Sequence, residues 1–215
     1  MSGADTRRDL PIRPLALFVA AALALSACSS PPELPRLGAE ARILAFGDSL
    51  THGTGVDSSV SYPAVLERRL GRRVIESGVP GELSAEGRRR LPRVLDRVRP
   101  DLLILCHGGN DILRGRDGAR TRANLAAMVR MAQERDIDVV LIGVPTRGLF
   151  TDTADFYYEV AEETGVPLED EVVADIIAEP ALKSDAVHPN AAGYGRMAAA
   201  VQRLLAAAGA IEDVH

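Results

Sequence analysis

The chain has 215 residues, of which 47% are apolar and 26% charged, and its formal net charge is −5. This composition is typical of a single globular domain, and it excludes a disordered chain, a collagen-like repeat and a disulfide scaffold. Because no Lys- and Arg-rich segment is interleaved with aromatic residues, we expect no nucleic-acid partner.

The first 27 residues are predicted to be a targeting segment. Arg7, Arg8 and Arg13 precede an uncharged, apolar run over residues 15–27. A helix that crosses a bilayer needs roughly 20 apolar residues. The shorter run, with basic residues before it and small residues at its end, favours a secretory signal peptide.

The apolar run ends in the sequence Leu-Ser-Ala-Cys at residues 25–28, which resembles the lipobox of bacterial lipoproteins. The resemblance implies cleavage before Cys28 and a diacylglycerol on the thiol of that residue. The alternative is an ordinary signal peptide with an incidental cysteine. Ser29 and Ser30 further resemble the residues that follow the cysteine in lipoproteins of the Gram-negative outer membrane.

These features divide the chain into three parts. We assign residues 1–27 to a signal peptide, residues 28–41 to the lipidated Cys28 and a tether, and residues 42–215 to one folded domain. The membrane is then a partner through the lipid on Cys28. The expected location is the bacterial cell envelope, at the periplasmic face of the outer membrane.

Short apolar runs alternate with helical patterns from residue 42 to residue 208. The predicted strands are residues 43–46, 74–75, 102–106 and 139–144. Runs without polar alternation are typical of strands buried on both faces, as in a parallel sheet. Apolar residues with helical spacing fall at residues 91–98, 125–132 and 194–208. The alternation predicts an α/β fold, a three-layer α/β/α sandwich around a mainly parallel sheet.

One predicted helix carries a basic cluster. It comprises Arg88, Arg89, Arg90, Arg93 and Arg97, which lie largely opposite the apolar stripe of residues 91–98. We therefore interpret the cluster as a solvated helix face, with a polyanion site as the alternative.

Glycine-rich and polar segments follow the predicted strands. They are Gly-Asp-Ser-Leu at 47–50, Ser-Gly-Val-Pro-Gly at 77–81 and His-Gly-Gly-Asn-Asp at 107–111; Asp-Ala-Val-His-Pro at 185–189 precedes the last helix. Sites in open α/β sheets form at the carboxyl ends of the strands. We therefore expect these segments to meet in one site.

The residue types in these segments suit nucleophilic catalysis. The hydroxyl of Ser49 needs a base to become a nucleophile, and His188 can be that base because imidazole titrates near neutral pH. Asp185 precedes His188 by three residues and can orient the imidazole. The N–H of Ser49, the N–H of a glycine after the second strand and the amide of Asn110 can stabilise an oxyanion.

Together these segments resemble the SGNH, or GDSL, hydrolase family, and most closely its bacterial branch of periplasmic thioesterases/lysophospholipases and arylesterases. The similarity extends from residue 42 to about residue 205. It implies a flavodoxin-like fold, a Ser-His-Asp triad and an oxyanion hole with three donors. It also implies that the enzyme needs no metal or other cofactor.

The resemblance assigns the roles of individual residues. The triad would be Ser49, Asp185 and His188, and the oxyanion hole would be Ser49, Gly81 and Asn110. Relatives often have Asn where this chain has Glu76, which makes Gly78 an alternative to Gly81 as donor. We prefer Gly81, because its spacing to the following helix matches the family better.

Other polar residues near these segments have structural interpretations. His52 and His107 are predicted to be structural residues or to lie at the pocket rim, because neither has a carboxylate placed as suitably as Asp185. Asp48 is predicted to organise the turn before Ser49, and Cys106 is a strand residue.

The expected function is that of a serine esterase. It would hydrolyse carboxylic esters or thioesters through an acyl-enzyme, with aryl, short or medium acyl esters or lysophospholipids as substrates. A carbohydrate O-deacetylase and a non-catalytic binding lipoprotein are the alternatives. The segment with Phe150, Phe156, Tyr157 and Tyr158 would form either an acyl or aryl pocket or the packing face of the next helix.

Overall fold

The computed structural model describes residues 31–148 and 152–212. Five parallel strands form one sheet in the order β2-β1-β3-β4-β5, the order of flavodoxin-like folds. The strands are β1 Arg42–Gly47, β2 Arg73–Gly78, β3 Leu102–Cys106, β4 Asp138–Ile142 and β5 Leu168–Glu169. The predicted fold class is confirmed.

Helices flank the sheet in two groups. They are α1 Ser49–His52, α2 Tyr62–Leu70, α3 Ser84–Val98, α4 Gly109–Leu113, α5 Gly118–Gln133, α6 Asp155–Thr164, α7 Val172–Ala178 and α8 Ala191–Ala207. Helices α2 and α7 pack against α8, whereas α3 and α6 pack against α5. Within the described ranges, no helix has both the length and the apolar character needed to cross a membrane.

The core is densest at the three central strands. Every residue of β3 is buried, and β1 and β4 are each buried after their first residue. Strands with helices on both faces must be apolar on both faces, which explains the unbroken apolar runs in the sequence.

The connections from β1 and β3 create the crevice for a site. The chain leaves β1 through α1 towards α2, in the group with α8, and it leaves β3 through α4 towards α5, in the other group. A crevice forms where neighbouring strands send their connections to opposite faces of the sheet. The segments that begin at residues 48 and 107 therefore border the same crevice.

The folded domain begins earlier in the chain than the sequence predicts. Residues 34–41, assigned above to the tether, pack against the domain instead. The N–H of Leu34 donates to the carbonyl of Ala208 at 2.8 Å, and the N–H of Leu37 donates to that of Ala210 at 2.9 Å. Leu37 is buried, so an apolar side chain holds this segment to the core. The signal peptide and Cys28 lie outside the described residues.

Candidate active site

Ser49 is placed by a tight turn between β1 and α1. Asp48 caps the helix, its Oδ1 accepting the N–H of Leu50 at 3.1 Å, which is the organising role predicted for it. Ser49 is thus the first residue of α1, so its N–H has no partner within the helix. A Cβ at Gly47 would lie 2.0 Å from the Cys106 carbonyl oxygen. Only glycine therefore fits at the strand end before the turn.

The structure brings Ser49, His188 and Asp185 together in a row. Ser49 Oγ lies 3.0 Å from His188 Nε2, and His188 Nδ1 lies 2.7 Å from Asp185 Oδ2. With the Nδ1 proton donated to the carboxylate, Nε2 is free to accept the proton of the serine hydroxyl. This arrangement is the one that the chemistry of a serine nucleophile requires.

Asp185 is preorganised by its own loop. Its Oδ1 accepts the N–H groups of Val187 at 2.9 Å and His188 at 2.8 Å. The hydrogen bond from His188, followed by that from the Val187 N–H, lowers the pKa of Asp185 to about 2. The carboxylate is therefore ionised at neutral pH. The loop ends at Asn190, whose side chain caps α8 by accepting the N–H groups of Ala192 and Gly193.

The turn after β2 distinguishes the two candidate glycine donors. Gly81 has a φ of 78°, and the N–H of Glu82 donates to the Val79 carbonyl at 3.1 Å, as in a type II turn. Within the described ranges, the N–H of Gly81 has no hydrogen-bond acceptor. The N–H of Gly78 instead donates to the carboxylate of Glu76 at 2.6 Å. The geometry favours Gly81, because its donor is unengaged.

Asn110 lies in the first turn of α4, on the other side of the crevice. Its Nδ2 donates to Asp48 Oδ2 at 3.1 Å and to the carbonyl oxygen of Glu82 at 3.2 Å. These two bonds fix the orientation of the amide beside Ser49. Burial raises the pKa of Asp48, while His107 and hydrogen bonds from Leu50 and Asn110 act in the opposite direction.

A buried ionic cluster of Glu82, His107 and Arg90 joins the turn after β2 to the segment after β3. Glu82 Oε2 lies 3.1 Å from His107 Nε2 and 2.6 Å from Arg90 Nη2. Burial tends to raise the pKa of Glu82, but hydrogen bonds from His107 and Arg90 outweigh it and lower the pKa to about 2. The guanidinium of Arg90 also lies 3.9 Å from the centre of the Phe46 ring, a cation–π contact.

The structure corrects two predictions in part: the structural role predicted for His107 agrees with its full burial, but both His107 and His52 have acidic neighbours that the sequence did not reveal. His107 does have a carboxylate partner, Glu82, and His52 lies 3.6 Å from Glu76. Arg90 is half-buried in an ion pair and does not belong to a solvated face. The prediction of a solvated face is right for the four exposed arginines of the cluster, Arg88, Arg89, Arg93 and Arg97.

A second pair of residues also escaped the sequence analysis. Asp111 accepts two hydrogen bonds from Ser84, one from the N–H and one from the hydroxyl, both at 2.8 Å. The pair joins the start of α3 to α4. The sequence contained one signal that could have indicated this pair, which is the carboxylate of Asp111 directly after Asn110 in a glycine-rich segment.

A cavity of about 180 Å³ opens beside Ser49 and is largely apolar. Its apolar lining consists of Leu50, Ile112, Leu113, Val144, Pro145, Val173, Ile177 and Val187. Tyr157 is buried, with its hydroxyl donating to the carbonyl of His107, and Phe156 packs against the core. Of the two roles considered for this segment, a substrate pocket or the packing face of a helix, Phe156 and Tyr157 therefore have the second. Phe150 lies outside the described residues.

A larger groove of about 1010 Å³ lies at the opposite end of the strands from Ser49. Residues 33–41, Asp101 and Asp138 line it, so it borders the amino ends of the strands, away from the row of Ser49 and His188. In the described part of the chain, no group of three or more His, Cys, Asp or Glu side chains is arranged to hold a metal ion.

Comparison with known proteins agrees with this geometry. Residues 45–196 match the GDSL-like Lipase/Acylhydrolase family. The chain belongs to this family of ester-bond hydrolases. The matched range includes Ser49, Gly81, Asn110, Asp185 and His188, and it lies within the domain predicted from the sequence.

Several known proteins are similar to this chain. Esterase TesA of Pseudomonas aeruginosa is 36% identical over 128 residues, covering 57% of this chain and 64% of that protein. The match therefore spans slightly less than two thirds of the length of esterase TesA. An arylesterase of Vibrio mimicus is 30% identical over 162 residues, covering 70% of this chain and 81% of the relative. The crystal structure of AlinE4, an SGNH-hydrolase family esterase, superposes with a TM-score of 0.63 at 34% identity, covering 79% of this chain and 97% of the other.

Proposed function

We propose that this GDSL-family protein is a serine esterase that acts through an acyl-enzyme on Ser49. The observation that carries the proposal is the 3.0 Å contact between Ser49 Oγ and His188 Nε2, with Asp185 on the far side of the imidazole. A protein that only binds esters has no need of this hydrogen-bonded row. The geometry therefore favours catalysis over a non-catalytic binding lipoprotein.

The residues divide the reaction into two halves. Ser49 Oγ attacks the ester carbonyl while His188 Nε2 takes its proton, and Asp185 stabilises the imidazolium that forms. The carbonyl oxygen becomes an oxyanion that accepts hydrogen bonds from the Ser49 N–H and the Gly81 N–H. It also accepts one from Asn110 Nδ2, which redirects to the oxyanion the hydrogen that it donates to Asp48 Oδ2 in the substrate-free site. His188 then protonates the leaving alcohol or thiol, and the acyl group stays on Ser49. In the second half, water repeats the sequence and releases the acid.

The cavity supports a preference for small acyl groups. Its volume of about 180 Å³ lies below the roughly 300–1,000 Å³ that is typical of drug-sized ligand sites. The apolar lining favours aryl or short to medium acyl chains over acetylated carbohydrates, which need polar partners. The names of two relatives, an arylesterase and a thioesterase 1/protease 1/lysophospholipase L1 of Escherichia coli, support aryl esters and thioesters as substrate classes, and lysophospholipids where the acyl chain is short enough for the cavity.

A p-nitrophenyl ester series of increasing acyl length, assayed beside an acetylated sugar, tests the substrate class. We expect kcat/KM to be highest for a short or medium chain and to fall for long chains that exceed the cavity. Turnover of the acetylated sugar faster than all of the aryl esters would contradict the proposal and favour the carbohydrate O-deacetylase.

For the location, we propose a lipid anchor on Cys28 in the bacterial cell envelope. The lipobox-like sequence at residues 25–28 supports the anchor, and Ser29 and Ser30 support the periplasmic face of the outer membrane. Five residues separate Cys28 from Leu34, whose N–H already donates to the domain. The anchor would therefore hold the domain close to the bilayer.

Mass spectrometry of the mature N-terminus tests the anchor. We expect a diacylglyceryl-modified Cys28 in the natural protein, and an unprocessed chain in the Cys28→Ala variant. A mature chain that begins elsewhere with an unmodified thiol would contradict the lipoprotein proposal and leave the esterase proposal intact.

A further inference from the structure

Each of two neighbouring loops carries one proposed oxyanion donor. Gly81 lies in the loop after β2, and Asn110 lies in the segment after β3. Gly47 at the end of β1 pairs with Gly78 of β2 on one side and with Cys106 of β3 on the other. The two loops therefore leave the sheet at the same level, on either side of the turn that presents Ser49.

A buried hydrogen bond connects these loops below the crevice. Glu82 directly follows Gly81, and His107 precedes Asn110 by three residues. The Glu82 side chain is 8% exposed and that of His107 is fully buried, and they meet at 3.1 Å. The N–H of Gly108 donates to His107 Nδ1 at 3.0 Å, so the Nε2 proton is left for Glu82. The Glu82 carbonyl also accepts the amide of Asn110.

Arg90 holds the same carboxylate from the side of α3. Its Nε and Nη2 donate to the two oxygens of Glu82 at 2.8 and 2.6 Å, a bidentate geometry. Nη2 also lies 3.2 Å from the carbonyl oxygen of Gly47, two residues before Ser49. The carboxylate of Glu82 is thus tied to all three segments that supply the proposed donors.

From these contacts we propose that Glu82, clamped by His107 and Arg90, is a positioning residue for the oxyanion hole. It sets the separation of the Gly81 N–H and the Asn110 amide, and so it acts on the transition state without touching the substrate. The inference rests on the proposed esterase function. It gives Glu82, His107 and Arg90 a role that does not follow from the triad chemistry.

The substitution Gly87→Ala tests this inference while keeping every charged group. Gly87 lies on α3, and a Cβ there would be 2.3 Å from His107 Nε2, which would push the imidazole away from Glu82. Gly195→Ala on α8 is the matched control, because a Cβ at that position meets nothing within 4 Å. Both changes replace glycine by alanine inside a helix, so both gain the same helix propensity.

The expected signature is a loss of kcat with little change of KM. Loss of an oxyanion donor costs about 10²–10³ in kcat, and we expect displacement of the donors by Gly87→Ala to cost about tenfold. Affinity for an alkyl boronic acid, which forms a tetrahedral adduct on Ser49, should fall by about the same factor. KM should stay within about twofold, and Gly195→Ala should match the parent in all three measurements. Titration with a fluorophosphonate counts the folded sites in each sample.

Glu82→Gln is the second variant, in case the first disturbs packing in other ways. It keeps the shape of the side chain and removes the charge, and we expect the same pattern of kcat, KM and boronic acid affinity. Parent-like kcat in both variants would overturn the inference, as would a raised KM at unchanged kcat or a loss of thermal stability alone. If the parent itself neither turns over esters nor reacts with the fluorophosphonate at Ser49, the proposed function fails instead.

Discussion

The two sides of the Ser49 crevice are built differently. On one side, Asp185 is 53% exposed at its side chain and His188 18%, and their side chains are joined by one hydrogen bond. On the other side, Glu82 and His107 are almost or fully buried, and the carboxylate of Glu82 has two partners. Proton transfer needs access for the leaving group and for water, whereas an oxyanion needs donors that do not move. The difference in burial matches these two requirements.

Removing the nucleophile should have the largest effect on the exposed side. Ser49→Ala leaves the oxyanion donors and the cavity in place but removes the atom that is acylated. We expect kcat to fall by about 10⁴ or more, measured on a p-nitrophenyl ester, with the circular dichroism spectrum of the parent. Turnover at the parental rate would show that another group is the nucleophile.

Removing a donor on the buried side should have the next largest effect. Asn110→Ala deletes the amide that Asp48 and Glu82 hold in place, and we expect kcat to fall by about 10²–10³ with KM nearly unchanged. A rise of KM at constant kcat would mean that Asn110 binds the ground state, and the proposed division of labour would be wrong. The same p-nitrophenyl ester serves for both variants.

The glycines of the β2 turn should separate activity from stability. A Cβ at Gly81 meets only Arg114 Nη2, at 3.6 Å, but φ is 78°, so Gly81→Ala strains the turn that presents the donor. We expect a several-fold loss of kcat and a small loss of Tm. A Cβ at Gly78 would lie 2.3 Å from the backbone nitrogen of His52 and 2.6 Å from the Asp48 carbonyl oxygen. Gly78→Ala should therefore show the larger loss of Tm, and equal effects on Tm would contradict this account.

The smallest expected effect is on acid stability. The pKa of Glu82 is lowered from 4.5 to about 2, so its ionised form stabilises the folded protein above about pH 4.5, and this contribution disappears as the pH falls towards about 2. The Tm difference between the parent and Glu82→Gln should therefore be a few degrees at neutral pH and vanish near pH 2. A difference that does not change with pH would show that charge is not the source of the stabilisation.

The features that the sequence predicts are those with local signals. Apolar runs mark the buried strands, and Gly47 and Asp48 before Ser49 mark a tight turn into a helix. Asp185 and His188 are three residues apart, so their contact depends mainly on one loop. For these residues, the spacing along the chain is therefore enough to predict the local conformation.

The features that the sequence does not predict depend on strand register and on edge positions. β2 extends over Arg73–Gly78 although the apolar run covers only residues 74–75, because an edge strand tolerates polar residues. β5 has two residues and no pattern of its own. The contact of Glu82 with His107 spans 25 positions and follows from the pairing of β1 with both neighbours, which no local spacing reveals.

The most direct test of the central claim is reaction of the natural protein with a fluorophosphonate, followed by peptide mass spectrometry. The account predicts one covalent adduct on Ser49, with a labelling rate that falls strongly in the His188→Ala variant because the serine loses its base. An adduct on another residue, or labelling of Ser49 at the same rate without His188, would contradict the claim that His188 activates Ser49 for attack on esters.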